Sequence, residues 1–236
     1  MTAHANGLVI CGSTQGAVTS LTGKPFSKDR NGYVAFLGDA TTLGTETGGG
    51  EHSGVSKTIV FDSADHQDDW IMNICSSNTD EESFYVVGAT KGSMSAAASS
   101  GRATAGSLHS FVTKVDWKTQ LPVWTQQLYV VSASKGAPGV SSAYGCSISH
   151  GQGVVYVAGV VKNGATMDYP STKSAGEDDI FVAQLDTGTG HIQWLNQFGS
   201  SGHESLARSG GIATDMEGHA VVYGDTMGEL YRAWSW

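Results

Sequence analysis

The feature that constrains this chain most is that it repeats itself. Residues 111–128 read FVTKVDWKTQLPVWTQQL and residues 181–198 read FVAQLDTGTGHIQWLNQF, and the two align without a gap. Phe111/Phe181, Val112/Val182, Asp116/Asp186, Thr119/Thr189, Trp124/Trp194 and Gln127/Gln197 coincide. A second phrase occurs four times: GLVICGSTQG (7–16), SFYVVGATKG (83–92), GVVYVAGVVKNG (153–164) and HAVVYGDTMG (219–228). A third, rich in small residues, precedes its later copies as WIMNICSS (70–77), YGCSISH (144–150) and SGGIATD (209–215). Recurrence of this kind means that one supersecondary unit is stacked on copies of itself.

Each period holds four short runs of strand character, joined by Gly, Ser, Thr and Asp turns. Four antiparallel strands per unit describe a propeller blade. The expected fold is therefore all-β: a partial β-propeller of about three and a half four-stranded blades in a single domain, 1–236. The units fall at approximately 1–62, 70–129, 143–198 and, incomplete, 209–236. The 32 glycines, about twice the usual ~7% share, suit an all-β chain with many turns. Crowding near a central axis suits the small-residue strands, and burial on both faces suits the Val, Phe and Tyr runs. Asp116 and Asp186 are expected to hold turns through backbone amides. Trp124 and Trp194 are expected to anchor each outer strand against the next blade. The insertions LGTETGGGEHSGVSK (43–57) and KGSMSAAASSGRATAGS (91–107) read as flexible surface loops.

At these phrases the chain resembles the bacterial-type SBBP (seven-bladed β-propeller) repeats. Their pattern is an aspartate before FVAKLD, a glycine turn, a tryptophan strand ending QFG, then GIAVD…GNVYVTGxT. Residues 178–228 follow it almost end to end, 83–159 in part and 1–62 weakly. LDTGTGHIQW is also similar to the LDxxTGxxxW of quinoprotein-like, PQQ-type propellers, whose tryptophans dock blade to blade. The resemblance implies an extracellular or cell-surface protein, and a tandem repeat without a fixed activity. Closed propellers carry four to eight blades, so further blades from a longer chain, or self-association, are expected to cover two bare, sticky sheet faces.

Charge narrows the partners. With 22 acidic and 13 basic residues, a net charge of -9 repels phosphate backbones and anionic lipid heads, so neither nucleic acid nor membrane is expected. No apolar run reaches the ~20 residues of a spanning helix, and the N-terminus lacks the pattern of a signal peptide. Both ends read as cut within a domain. Cys11, Cys75 and Cys146 form no CxxC pair. Cys75 and Cys146 sit in matching small-residue phrases, where a buried thiol packed as a small hydrophobe is the expected role, ahead of a bridge or a ligand.

No GxSxG, HExxH or Walker loop is present. Two polar clusters, DSADHQDDW (62–70) and SSGHESLARSG (200–210), occupy equivalent connections into the small-residue strand. Asp65, His66, Asp68 and Asp69, with His203, Glu204 and Arg208 as counterpart, are the candidate binding residues, since propeller ligands bind at such rims. Read blandly, these groups form turns and are solvated. Read as a site, their oxygens suit a hard cation. GEDDIF (176–181) and DMEGH (215–219) resemble fragments of calcium loops without the alternation of an EF-hand, so no cofactor is expected beyond a weak case for calcium. Asp178 or Asp179 is expected to bond a neighbouring turn. Strand tyrosines and tryptophans read as core ahead of a sugar-stacking platform. The functional expectation is a non-enzymatic scaffold that binds protein or glycan. The alternatives are a hydrolase or lyase with acids and histidines at the propeller mouth, or a quinoprotein-like propeller.

Overall fold

The computed structural model describes residues 2–4, 7–15, 29–37, 55–76, 83–94, 106–131, 138–149, 151–170, 172–207 and 210–230. Among them the chain is all-β, in several antiparallel sheets and without a helix. The first sheet is an up-and-down meander of β1 (Thr2–His4), β2 (Gly7–Gln15), β3 (Arg30–Leu37) and β4 (Val55–Phe61). The second repeats it with β5 (Asp69–Ser76), β6 (Ser83–Thr90), β7 (His109–Asp116) and β8 (Leu121–Leu128). After β9 (Val130–Val131) comes the third, β10 (Val140–Ser149), β11 (Val154–Lys162), β13 (Asp179–Asp186) and β14 (Ile192–Phe198). The short β12 (Thr166–Met167) leaves that sheet to pair with β9, stitching the second and third sheets together. The C-terminal part forms two hairpin-like pairs: β15 (Glu204–Leu206) with β18 (Gly224–Thr226), and β16 (Ile212–Thr214) with β17 (Ala220–Val222).

The recurring glycine of the second phrase has a steric cause. A Cβ on Gly88 would stand 1.9 Å from the Trp70 carbonyl oxygen, one on Gly159 2.2 Å from that of Ser142, and one on Gly224 2.1 Å from that of Ser205. In β5 and β10 a register shift follows immediately, between Ile71 and Asn73 and between Ala143 and Gly145. The bulge drives the first strand's backbone into its neighbour, and only glycine leaves room there.

Alternation of side chains then builds the core. β6 is buried on every residue. Phe84 and Val86 turn back to join Val9, Val34, Phe36, Ile59 and Phe61 of the first sheet. Tyr85 and Val87 turn forward to Val155, Val157, Phe181 and Leu185 of the third. β11 repeats the division, with Val154, Tyr156 and Ala158 facing Ile212. A strand buried on both faces reads as continuous apolar sequence, and each such large side chain contributes about 1.5–3 kcal/mol.

The sheets stack in sequence order. β5 lies against β2 and β3, β10 against β5, β6 and β7, and β16 against β10 and β11. The first strands crowd together at one point. Asn73 Nδ2 donates to the Tyr144 carbonyl at 3.0 Å. A Cβ on Gly145 would lie 2.2 Å from the Gly210 carbonyl oxygen, and one on Gly210 2.7 Å from Asn73 Nδ2.

Two sequence expectations are corrected here. Cys75 and Cys146 form a disulfide, with Cα atoms 5.9 Å apart, rather than packing as buried thiols; Cys11 is free. The cysteines do not occupy the same repeat position. Cys75 stands opposite Tyr85, and the residue so placed in the third sheet is Ser147, opposite Tyr156. Cys146 is one step earlier, opposite Val157. One step reverses the face, so Cys75 points forward, Cys146 points back, and the sulfurs meet. Second, the insertions are not loop throughout. Residues 55–57 belong to β4, and Gly92, Ser93 and Ser107 are buried. Residues 43–54 and 95–105 lie outside the described residues.

Candidate functional site

Where one sheet hands over to the next, the third strand of the first meets the first strand of the second. Three such corners are built on one plan. At the last two a parallel bridge joins the strands, Leu108 to Val140 and Asp178 to His203. At the first, the Arg30 amide donates to Asp68 Oδ1 at 3.0 Å. The residue after each of these is buried, which places Asn31 with Asp69, His109 with Ser141, and Asp179 with Glu204. Each corner is held by strand ends, which is why its polar groups recur at fixed places.

At the first corner the connection 62–68 is a knot of turns. Ser63 N donates to Asp69 Oδ2 at 2.7 Å, Gln67 N to Ser63 Oγ at 3.0 Å, and His66 N to Ser63 O at 2.9 Å. His66 takes the left-handed conformation, φ 50°, and its Nδ1 lies 2.9 Å from Asp62 Oδ2. Asp65 Oδ1 accepts from Ser93 N at 2.9 Å, fastening the connection to the turn after β6. Asp68 Oδ2 accepts from Lys91 Nζ at 2.8 Å, and that bond, with the one from the Arg30 amide, holds its carboxyl below the ordinary value. Lys91 and Arg30 both stand over the Trp70 ring, at 5.5 and 5.9 Å. Asp69 is different. It is fully buried, and burial pushes its carboxyl up to about 6 against hydrogen bonds from Thr90 and Ser63 that pull it down.

The last corner reproduces these parts. Ser200 stands for Ser63, with Gly202 N donating to its hydroxyl at 3.0 Å. His203 stands near His66 in the phrase and has its Nδ1 3.2 Å from Asp178 Oδ2. Glu204 takes the place of Asp69, opposite Thr226 as Asp69 is opposite Thr90. The middle corner carries no acid: His109 Nδ1 accepts from Val130 N at 3.2 Å, and burial lowers its basicity. Ser110 N and Oγ both bond Ser141 Oγ at 3.0 Å.

The residues picked from sequence thus separate into two corners, each partnered locally. Asp65, His66 and Asp68 bind turns and a lysine, whereas Asp69 and Glu204 are buried rather than solvated. Arg208 lies outside the described residues. Among the described residues, the one group of three acids or histidines with ligand atoms within 4.8 Å of one another is Asp215, Glu217 and His219. All three are exposed, and Asp215 Oδ1 is already engaged by the amides of Glu217 (2.9 Å) and His219 (2.8 Å). Those contacts lower the Asp215 carboxyl, and the Asp215 carboxylate raises His219.

Asp116 and Asp186 each take Thr119 or Thr189, amide and hydroxyl, onto Oδ1 at 2.6–2.8 Å, which lowers both carboxyls. Trp124 donates from Nε1 to the Thr187 carbonyl at 3.1 Å, in the turn of the following sheet, and Lys114 Nζ reaches the same oxygen at 3.0 Å. Trp194 stands beside Tyr156, ring centroids 6.0 Å apart, as Trp124 stands beside Tyr85 at 5.8 Å.

Two functions were missed in the sequence. Gln127 and Gln197 were visible only as repeated letters. Each clamps the connection after the second strand, Gln127 through Gly92 O (2.9 Å) and Met94 N (3.2 Å), Gln197 through Ala165 O and Met167 N (2.9 Å each). The meeting of Asp179 with Glu204 was also missed, because they come from strands 25 residues apart. The shared spacing of the corner phrases was the available signal. No family model matches the chain, and no curated protein matches it.

Proposed function

We propose that the chain is a β-propeller segment of a secreted or cell-surface protein, acting as a non-enzymatic scaffold for a protein or glycan partner. The observation that carries this reading is the convergence of first strands at Asn73, Tyr144, Gly145 and Gly210, as expected of sheets arranged about an axis. The Cys75–Cys146 bridge supports an oxidising compartment. Corners set apart from one another favour binding over catalysis, since acid–base work needs groups gathered round one reacting centre. The exposed Val221 and Tyr223 of the last pairs offer a face on which a further blade or a second copy would pack.

Glycan and surface-protein arrays probed with the purified protein test the scaffold. Saturable binding is expected, lost on His66→Ala with Asp65→Ala or on His203→Ala with Asp178→Ala, while the β-type circular dichroism spectrum stays. Binding indifferent to both double variants, or turnover of ester and glycoside substrates, contradicts it.

A further inference from the structure

The bridge between Asp178 and His203 sets two residue pairs side by side. Side chains alternate along a strand, so one pair faces out and the other in. The outer pair sets Asp178 Oδ2 3.2 Å from His203 Nδ1. The inner pair brings two acids together under cover: Asp179 is 1% exposed and Glu204 2%.

Each inner acid is tied by one oxygen. Asp179 Oδ2 accepts from Ala175 N at 2.9 Å and Gln197 Nε2 at 2.8 Å. Glu204 Oε1 accepts from Ser200 Oγ at 2.5 Å and Thr226 Oγ1 at 2.8 Å. The second oxygens, Asp179 Oδ1 and Glu204 Oε2, are buried and have no donor. Both turn towards Gly199, where a Cβ would stand 2.3 Å from the first and 2.5 Å from the second. Ligands on opposite sides of one calcium ion stand ~5 Å apart, and two oxygens so close to a single point fall within that span.

Carboxyl oxygens buried without a donor are costly to leave unpaired, the more so when two face one another. Among the described residues, no lysine, arginine or histidine forms an ion pair with either acid. The other corners do not set two acids together: Asn31 stands with Asp69, and His109 with Ser141. Among the three described corners, only this one brings two buried acids together. We propose that Asp179 Oδ1 and Glu204 Oε2 are ligands of a hard, oxygen-preferring cation of the calcium class, which locks β13 to β15. Ser200, Thr226 and Gln197 hold the ligating carboxylates in orientation, as outer-shell partners do at metal sites.

The test is thermal unfolding of the full chain, stripped with a chelator and titrated with calcium chloride at neutral pH. Wild type should gain about 5 °C at saturation, and Glu204→Gln should lose that gain. Asp215→Asn, which removes the exposed trio, should keep it. The proposal is overturned by no gain in wild type, by an equal gain in Glu204→Gln, or by a gain lost in Asp215→Asn. Stabilisation by falling pH in place of calcium also overturns it, since a shared proton then balances the pair. Should Glu204→Gln fail to fold, calorimetric titration of wild type and Asp215→Asn with calcium decides. One site of equal affinity in both supports the proposal; no site, or one missing from Asp215→Asn, overturns it.

Discussion

Between the second and third sheets Cys75 reaches Cys146; at the next seam the place of Cys75 is taken by Ser147, whose hydroxyl stands 3.0 Å from that of Thr214. The surroundings differ to match. The covalent seam also has Trp124 and Lys114 on the Thr187 carbonyl and packs Gly190 under the Trp124 ring. The later seam relies on Tyr156 Oη donating to the Gly218 carbonyl at 3.0 Å and on Gln184 Nε2 donating to that hydroxyl at 3.0 Å. The same forward-facing position can therefore carry a bond that restrains the unfolded chain or one that only pairs in the folded state. The two act on different states, so they should fail differently.

The largest contrast comes from cutting each seam. Replacing Cys75 and Cys146 together by serine removes a link spanning 71 residues, which in the chain-entropy account costs about 4 kcal/mol. Ser147→Ala at the later seam costs about 1 kcal/mol. Urea unfolding of both variants checks the ranking, and equal losses would erase the distinction.

A second contrast sits in the turns that follow the third strand. Gly190 has φ 73° and a Cβ there would lie 2.7 Å from the Trp124 ring, whereas the matching Gln120 holds φ 54° with a side chain. Gly190→Ala should destabilise by about 2 kcal/mol, because left-handed backbone costs an L-residue ~1–2 kcal/mol and the ring must also move. Gln120→Gly should stabilise by about 0.5 kcal/mol, on the same argument reversed and reduced by the glycine's added unfolded-state freedom.

Asp69 sharpens the comparison through pH. Its folded carboxyl is raised to about 6 from 3.8, so the fold favours the neutral form. The stability this group supplies is present below pH 3.8 and is lost as pH rises towards 6. Asp69→Asn should therefore gain on wild type steadily across that interval and then hold a constant lead, seen as a widening gap in unfolding midpoint. A gap that narrows with rising pH would mean the carboxyl is lowered instead.

Much of this was readable from the letters. The all-β class was readable because strands buried on two faces, such as β6 and β11, must be apolar without interruption. The turns at Asp116 and Asp186 were readable because a carboxylate, a threonine and a tight turn form a local unit. The disulfide was not. Ile71 and Ala143 hold the same repeat position, one residue further apart than the two cysteines. That single residue decides which face each sulfur takes. The acid pair was hidden for a related reason: Asp179 and Glu204 each look like turn residues until a parallel bridge sets their strands side by side.

The most direct measurement is peptide mapping of the oxidised protein by mass spectrometry, with free thiols alkylated before digestion. Stacking of the second sheet on the third in the described register predicts one linked pair, Cys75 with Cys146, and an alkylated Cys11. A bridge involving Cys11, or three alkylated cysteines after non-reducing purification from an oxidising compartment, would contradict that stacking.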